Sequence, residues 1–543
     1  MKRRVLWLSM MAAVLLSACS NEENEPAQDN GTKYLAVNIV AAPATRAESF
    51  EDGTTDENKV TNVRFFFFNN SGEAVYVTNG GQNNYADATP EAGDNKTGEN
   101  VDQELQAVVV IDTKNGDRIP EQIAAVLNPT TDITTYGSMS LSQLQAKTAN
   151  FSTPANESNQ FVMCSSVYAN GGSEVASTKI EAGNLQTTQE AAKNSPVNMY
   201  VERNVAKVIT DFSGASTDTK GNYIVTKADG SNLTINGVDA SVKVLGWLPT
   251  QTAPNSYLSK HISASWAAEL FSASEPWNNP TYHRSYWAIS PNFGTAPAYG
   301  YPTYAQIYAH TSGPYYCEEN AAVDNYGTDP TAAQATKVIV AAQLMQKDTD
   351  TPITNAAQWG GMFDGEDAVK TTMANFLHIK DASDNAIAAD DIVFKTAASV
   401  GELTNLYYVY AQLSTAGKAK TWKDADTGNS LTTDEVNTKL KNMGPVKIWK
   451  GGYCYYYATI KHLNSGATGM GKVGVVRNHV YKISITGFVG MGTPVYTDPT
   501  NPSDPETDTP IIPETPADTE TYIAAKISIL SWRVVPSSII LGK

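Results

Sequence analysis

Apolar residues in this chain recur in short runs, many with a period of two, and β-branched and aromatic side chains dominate them. Val63–Phe68 (VRFFFF) reads as a strand that stops at the turn signal Asn69–Gly72 (NNSG). Gln106–Ile111, Ala124–Leu127, Met199–Ile209 and Val242–Trp247 continue the series in the first half. Lys337–Leu344, Leu406–Leu413, Tyr453–Ile460 and Val475–Ile485 do so in the second. Helical spacing is rare and short, over Leu141–Ala149 and Asp434–Met443. Strands broken by turns, with no alternating helices, predict a mainly all-β protein built of antiparallel sandwiches. Two large domains are expected, residues 47–250 and 251–492, with a boundary near 250.

Composition narrows the function. Charged residues make up only 17% of the 543-residue chain, against roughly 25% in a typical soluble protein. The net charge is −17, and no basic run is available to displace the counterions of a phosphate backbone. Nucleic acid is therefore excluded as a partner. Six histidines without an HExxH pattern argue against a His-based metal enzyme. Gly466–Lys472 (GATGMGK) imitates a phosphate-binding loop, but Val473 replaces the Mg²⁺-binding hydroxyl and no helix follows. Asp424–Glu435 has acids at three calcium-loop positions, yet Gly428 fills a ligand slot and Asn429 the required glycine. No catalytic residue, metal or cofactor is expected.

The N-terminus carries Lys2-Arg3-Arg4, then a mostly apolar stretch from Val5 to Ala18. It is too short to span a hydrocarbon core of about 30 Å and reads as an export signal, residues 1–18. Its end, LSAC at 16–19, looks like a bacterial lipobox, which makes Cys19 the lipidated residue. Several acyl chains anchor a protein where one does not. Cys164, Cys317 and Cys454 remain, an odd and widely spaced set that forms no disulfide framework. They are expected to be buried small hydrophobes.

Between 493 and 520 prolines alternate with acids, and apolar periodicity vanishes. This predicts an extended acidic spacer with a reach on the order of 75 Å. Strand character returns in the tail, residues 521–543. Tyr522–Ser528 (YIAAKIS) repeats the order of residue types in Tyr34–Val40 (YLAVNIV). Leu35, Val37 and Ile39 share one face of the first segment; Ile523, Ala525 and Ile527 share the matching face of the second.

Several motifs, in order, give the chain a family likeness: the lipobox, VERNVAK (201–207), YLSK (257–260), RSYWA (284–288), YCEEN (316–320) and VRNHVY (476–481). With the Pro/Asp spacer and tail, they resemble the Bacteroidetes fimbrillins, shaft subunits of type V pili, and among them the major subunit of minor fimbriae. The resemblance implies two transthyretin-like β-sandwich domains and export as an outer-membrane lipoprotein. It also implies cleavage by an arginine-specific protease, which falls here between Arg46 and Ala47. The propeptide 19–46 then leaves with its strand (Tyr34, Leu35, Val37, Ile39). A donor strand from an identical subunit, with Tyr522, Ile523, Ala525, Ile527, Ile529 and Trp532, refills the slot. The product is an open head-to-tail polymer at the cell surface, supporting adhesion, with anchor and tip subunits as further partners. On this reading, removing the tail leaves the monomer's own stability nearly unchanged. The competing reading is a monomeric surface lipoprotein that binds glycans on Trp247, Trp266, Trp277 and Trp287; an accessory tip or anchor subunit is a nearer rival.

Overall fold

The computed structural model describes residues 32–41, 51–92, 103–113, 119–170, 173–262, 278–279, 284–285, 287–291, 298–320, 334–396, 408–462, 474–495, 511, 525–530 and 533–541. The protein is mostly β-sheet with short helices, as the sequence predicts.

A ten-stranded sheet forms the first half. Its principal strands are β1 (Thr32–Ala41), β2 (Val63–Phe68), β3 (Glu104–Asp112), β4 (Gln122–Leu127), β5 (Met163–Ser165) and β6 (Val197–Arg203), in the spatial order β2-β4-β5-β6-β1-β3. Every residue of β2 is buried, because its four phenylalanines and Val63 join one core with Leu35, Val109, Ile123 and Met199.

An eleven-stranded sheet gathers most of the strands after Asn204 outside the insert described below. It contains β7 (Val205–Asp211), β8 (Tyr223–Thr226), β9 (Val238–Thr250), β10 (Tyr315–Glu318), β11 (Lys337–Gln346), β12 (Tyr453–Thr459), β13 (His479–Val489) and β14 (Thr493–Pro494). Two further strands, β15 (Ala525–Leu530) and β16 (Arg533–Leu541), add to it through β13. Most neighbours are antiparallel, but β1/β6, β7/β13, β8/β13 and β16/β13 are parallel. These parallel pairs join strands far apart in sequence, which is where long crossovers permit them.

Sheet membership changes at Asn204, so the expected boundary near 250 is corrected: β7, β8 and β9 belong to the second sheet. The run Met199–Ile209 reads as a single strand because no turn signal interrupts it. Asn204 is fully buried; its N–H donates to Val162 O and its side chain to Leu258 O. The chain thereby crosses between sheets with its backbone N–H and its side-chain amide N–H both paired.

A unit with its own core lies between β11 and β12. Its five-stranded sheet comprises Asn355–Trp359, Met362–Gly365, Ile392–Thr396, Tyr408–Leu413 and Val446–Lys450. Helices Glu366–Leu377 and Thr433–Asn442 cover it, burying Val369, Met373, Val436 and Leu440 against Val409 and Trp422. Period-two patterning marks strands without saying which sheet they join, so this insert was not legible. Its helix at 433 begins with a capping box between Thr432 and Glu435, and Asp424 accepts hydrogen bonds from Thr427 N and Asp426 N. The calcium-like acids thus serve backbone amides. Among the described residues no group of three His, Cys, Asp or Glu could hold a metal ion. The phosphate-loop mimic at 466–472 lies outside the described residues.

Two expectations about the C-terminal part need correction. The spacer is not free from 493 onward. β14 pairs with β12, Val495 is buried with its N–H donated to Tyr453 O, and Ile511 is buried further along. The tail is not detached either. β15 and β16 form a hairpin, β16 runs parallel to β13 from Arg533 to Leu541, and Leu541 is fully buried in the second core.

Candidate functional site

β1 is an interior strand. It pairs antiparallel with β3 from Thr32↔Asp112 to Val40↔Glu104, and parallel with β6 from Val37↔Val197 to Ala41↔Val201. Leu35 and Val37 are fully buried and Tyr34 is half-buried; Ile39 stands opposite Met199 and Leu105. The alternation that put Leu35 and Val37 on one face fixes this register, since a one-residue slip would take both out of the first core.

Arg46 and Ala47 lie outside the described residues, but both ends of their segment are placed. Ala41 stands opposite Val201, and Glu51 forms an ion pair with Lys482 on β13. Cys19, Tyr522, Ile523 and Trp532 also lie outside. Ala525, Ile527 and Ile529 sit on β15, paired with β16 opposite Ile539, Pro536 and Val534 respectively. The structure does not bring the tail to β1; it seats it on the second sheet of its own chain.

The motif residues do converge, at the seam between the two sheets. Glu202 and Lys260 form a buried ion pair of 2.8 Å, and Lys260 Nζ also donates to Ser285 O at 2.9 Å. Arg477 pairs with Glu319 at 3.3 Å, both fully buried, and donates to Leu258 O at 3.0 Å. Arg203 Nη1 donates to Asn478 Oδ1 at 3.1 Å and Nε to Glu57 O at 2.9 Å. Glu57 caps its own short helix with Thr54, pairs with Lys207 at 2.7 Å and accepts from the Tyr316 hydroxyl at 2.6 Å. Glu318 accepts from Phe151 N, Ser152 N and Ser256 Oγ at 2.6, 2.7 and 2.7 Å. VERNVAK, YLSK, RSYWA, YCEEN and VRNHVY are thus parts of one polar seam.

Burial pulls Lys260 below the ordinary lysine range, although Glu202 and Glu319 oppose it. Burial would raise Glu57, but Lys207, Tyr316 and the Thr54 amide together hold it below the usual carboxylate range. Unpaired charges at such depth cost several kcal/mol, so their pairing makes the seam a specific joint. A signal for it existed: Glu202, Arg203 and Lys207 interrupt an apolar β run, and charges there need partners.

Cys164, Cys317 and Cys454 are free and buried, as expected, and burial raises all three thiols, Cys164 to about 12. Trp247 and Trp287 are 2% and 1% exposed, so neither offers a face to a glycan. Trp266 and Trp277 lie outside the described residues. Among the described residues no helix is long and apolar enough to cross a membrane.

A mainly β protein whose first strand lies in the interior of its first sheet is the class this arrangement defines. Residues 447–537, spanning β12 to β16, match the family described as major fimbrial subunit protein type IV, fimbrillin, C-terminal. The matched residues include VRNHVY (476–481), one of the motifs that carry the resemblance. No curated protein matches the chain. It is similar to a solved fimbrilin (FimA) from Porphyromonas gingivalis W83, with 13% identity, 93% of this chain and 97% of that one covered, and a TM-score of 0.35. It is also similar to the tip fimbrial protein Mfa3 from Porphyromonas gingivalis, with 10% identity, 83% and 94% covered, and a TM-score of 0.31. A fimbrial assembly protein from Parabacteroides distasonis gives 12% identity, 59% and 84% coverage, and a TM-score of 0.28.

Proposed function

We propose that this chain is the shaft subunit of a surface fimbria. It is lipidated at Cys19, reaches the outer membrane, and is cut after Arg46 by an arginine-specific protease. Identical subunits then polymerise head to tail by donor-strand exchange, with accessory anchor and tip subunits at the ends, and the fibre supports adhesion.

One observation carries the reading: an interior strand of the first sheet lies wholly on the N-terminal side of Arg46. Once the chain is cut, only non-covalent contacts hold β1. Its departure leaves β3 and β6 with facing unpaired edges and empties the places of Leu35 and Val37. An extended segment of matching register can satisfy both edges at once, which is strand addition with specificity from alternate side chains. The tail repeats the β1 pattern, and the fimbrillin match reaches into it. Because donor and slot lie on different surfaces, each joint is heterologous and the product is an open fibre.

The test compares wild type with Arg46→Ala on the cell surface. Wild-type subunits should begin at Ala47 on N-terminal sequencing and run as a ladder in unboiled gel samples. Arg46→Ala chains should stay lipidated monomers. A ladder from Arg46→Ala would overturn the proposal.

A further inference from the structure

The acidic spacer returns to the second domain at Ile511. Ile511 is 6% exposed, and its N–H donates to Pro302 O at 3.0 Å. Its side chain joins a small core with Leu248, Tyr304, Ile307, Tyr455 and Val495. Val495, the last described residue before the gap, is in that same core. The seat is firmly built. Tyr304, on the helix Tyr304–Ala309, has its hydroxyl within 2.9 Å of Ala342 O and 3.0 Å of Cys454 O. The helix can lie this close to β9 because a bulge places Gly246 beneath it, where a Cβ would stand 2.1 Å from Ile307 O.

We propose that this seat is an intramolecular binding site for the spacer, and that Ile511 is a clasp setting the length of the tail's arm. Val495 and Ile511 are both held in that core, so 13 residues of sequence separate Ile511 from β15, against 29 from Val495. The arm then spans at most about 40 Å, against about 90 Å if it ran free from 496, at 3.1 Å per residue. Effective concentration falls roughly as the −3/2 power of tether length. Opening the clasp lengthens the tether from 13 to 29 residues and should weaken seating of β16 on β13 about threefold. The clasp rests on geometry alone; its consequence for subunit spacing rests on the donor-strand reading above.

Hydrogen exchange on the full monomeric chain tests it. The Ile511 amide should be protected in wild type and in Ile511→Val, and exchange freely in Ile511→Asp. The β16 amides should then open about threefold more often in Ile511→Asp. Deleting residues 499–506, between the two anchors Val495 and Ile511, should leave β16 opening unchanged; this arm leaves the seat's own residues intact. Unprotected Ile511 in wild type would overturn the clasp. So would a loop deletion that shifts β16 opening, or Ile511→Asp that does not. In electron micrographs, Ile511→Asp fibres should show longer and more variable subunit spacing, and wild-type spacing in them would overturn the proposed length control. If wild type formed no fibres, the donor-strand reading would fail while the exchange result still judged the clasp.

Discussion

Glu318 accepts three hydrogen bonds at the seam, yet burial pushes its carboxyl up to about 7 from 4.5. The folded state therefore binds this proton more tightly than the unfolded state does. Its contribution is complete below the ordinary value of 4.5 and is lost as pH rises through about 7. The shift is worth on the order of 3 kcal/mol. Glu57 has the opposite sign: held below its ordinary value, it contributes above that value, and the contribution is lost as pH falls through the folded pKa. Glu318→Gln keeps the acceptor for Phe151 and Ser152 while removing the charge. It should raise the melting temperature at pH 8 and leave it nearly unchanged at pH 4; equal shifts at both would refute this account. Lys260→Met, which strands the buried Glu202 carboxylate, should cost about 3–5 kcal/mol in chemical denaturation. The double variant Glu202→Leu/Lys260→Met should recover most of that loss. These residues could be picked out in the sequence as motifs, but their pairing could not. Glu202 finds Lys260 58 positions away, and Glu57 finds Tyr316 across 259. No local period encodes such distances.

Elements were read more securely than their company. The runs at 63–68, 106–111, 199–209 and 453–460 are strands, and the helices expected at 141 and 434 occur as Leu141–Gln145 and Thr433–Asn442. What failed was assignment to sheets, because a strand's alternation reports that one face is covered and not by what. The run 199–209 shows this most plainly, since its two halves belong to different sheets joined at Asn204. The tail failed in the same way: the stretch whose alternation matches β1 runs into β15, which pairs with β16, and β16 takes the edge of β13. Seated there, β16 covers the β13 edge and Leu541 fills the second core. Removing 525–543 should therefore lower the melting temperature of the monomer. Leu541→Ala alone should cost about 2–5 kcal/mol, as other buried leucine truncations do. A truncated chain melting like wild type would mean that the tail spends little time on β13.

At the scale of the whole molecule, the proposed assembly requires one strand to leave the first sheet and another to leave the second before two subunits can join. Both are seated in the monomer: β1 between β3 and β6, and β16 on β13. The two departures have different causes under the proposed assembly. β1 loses its covalent link when the chain is cut at Arg46, whereas the tail stays attached and exchanges one site for another. Filling the slot buries side chains worth roughly 1.5–3 kcal/mol each and gives the residues of β15, which pair with β16 along one edge in the monomer, hydrogen bonds along two edges. On that proposal trans seating should outweigh cis seating once the slot is open, and only then. A synthetic peptide of residues 521–543 should bind Arg46-cleaved subunits, block their assembly, and ignore uncleaved ones in which β1 still fills the slot. Ile527→Asp in that peptide should abolish binding, because a carboxylate facing the first core has no partner there. Lys526→Glu, on the opposite face, should bind like the parent sequence. Calorimetric titration of cleaved and uncleaved protein with the three peptides separates these cases. Equal binding of the parent peptide to both protein forms would place the donor site somewhere other than the β1 slot.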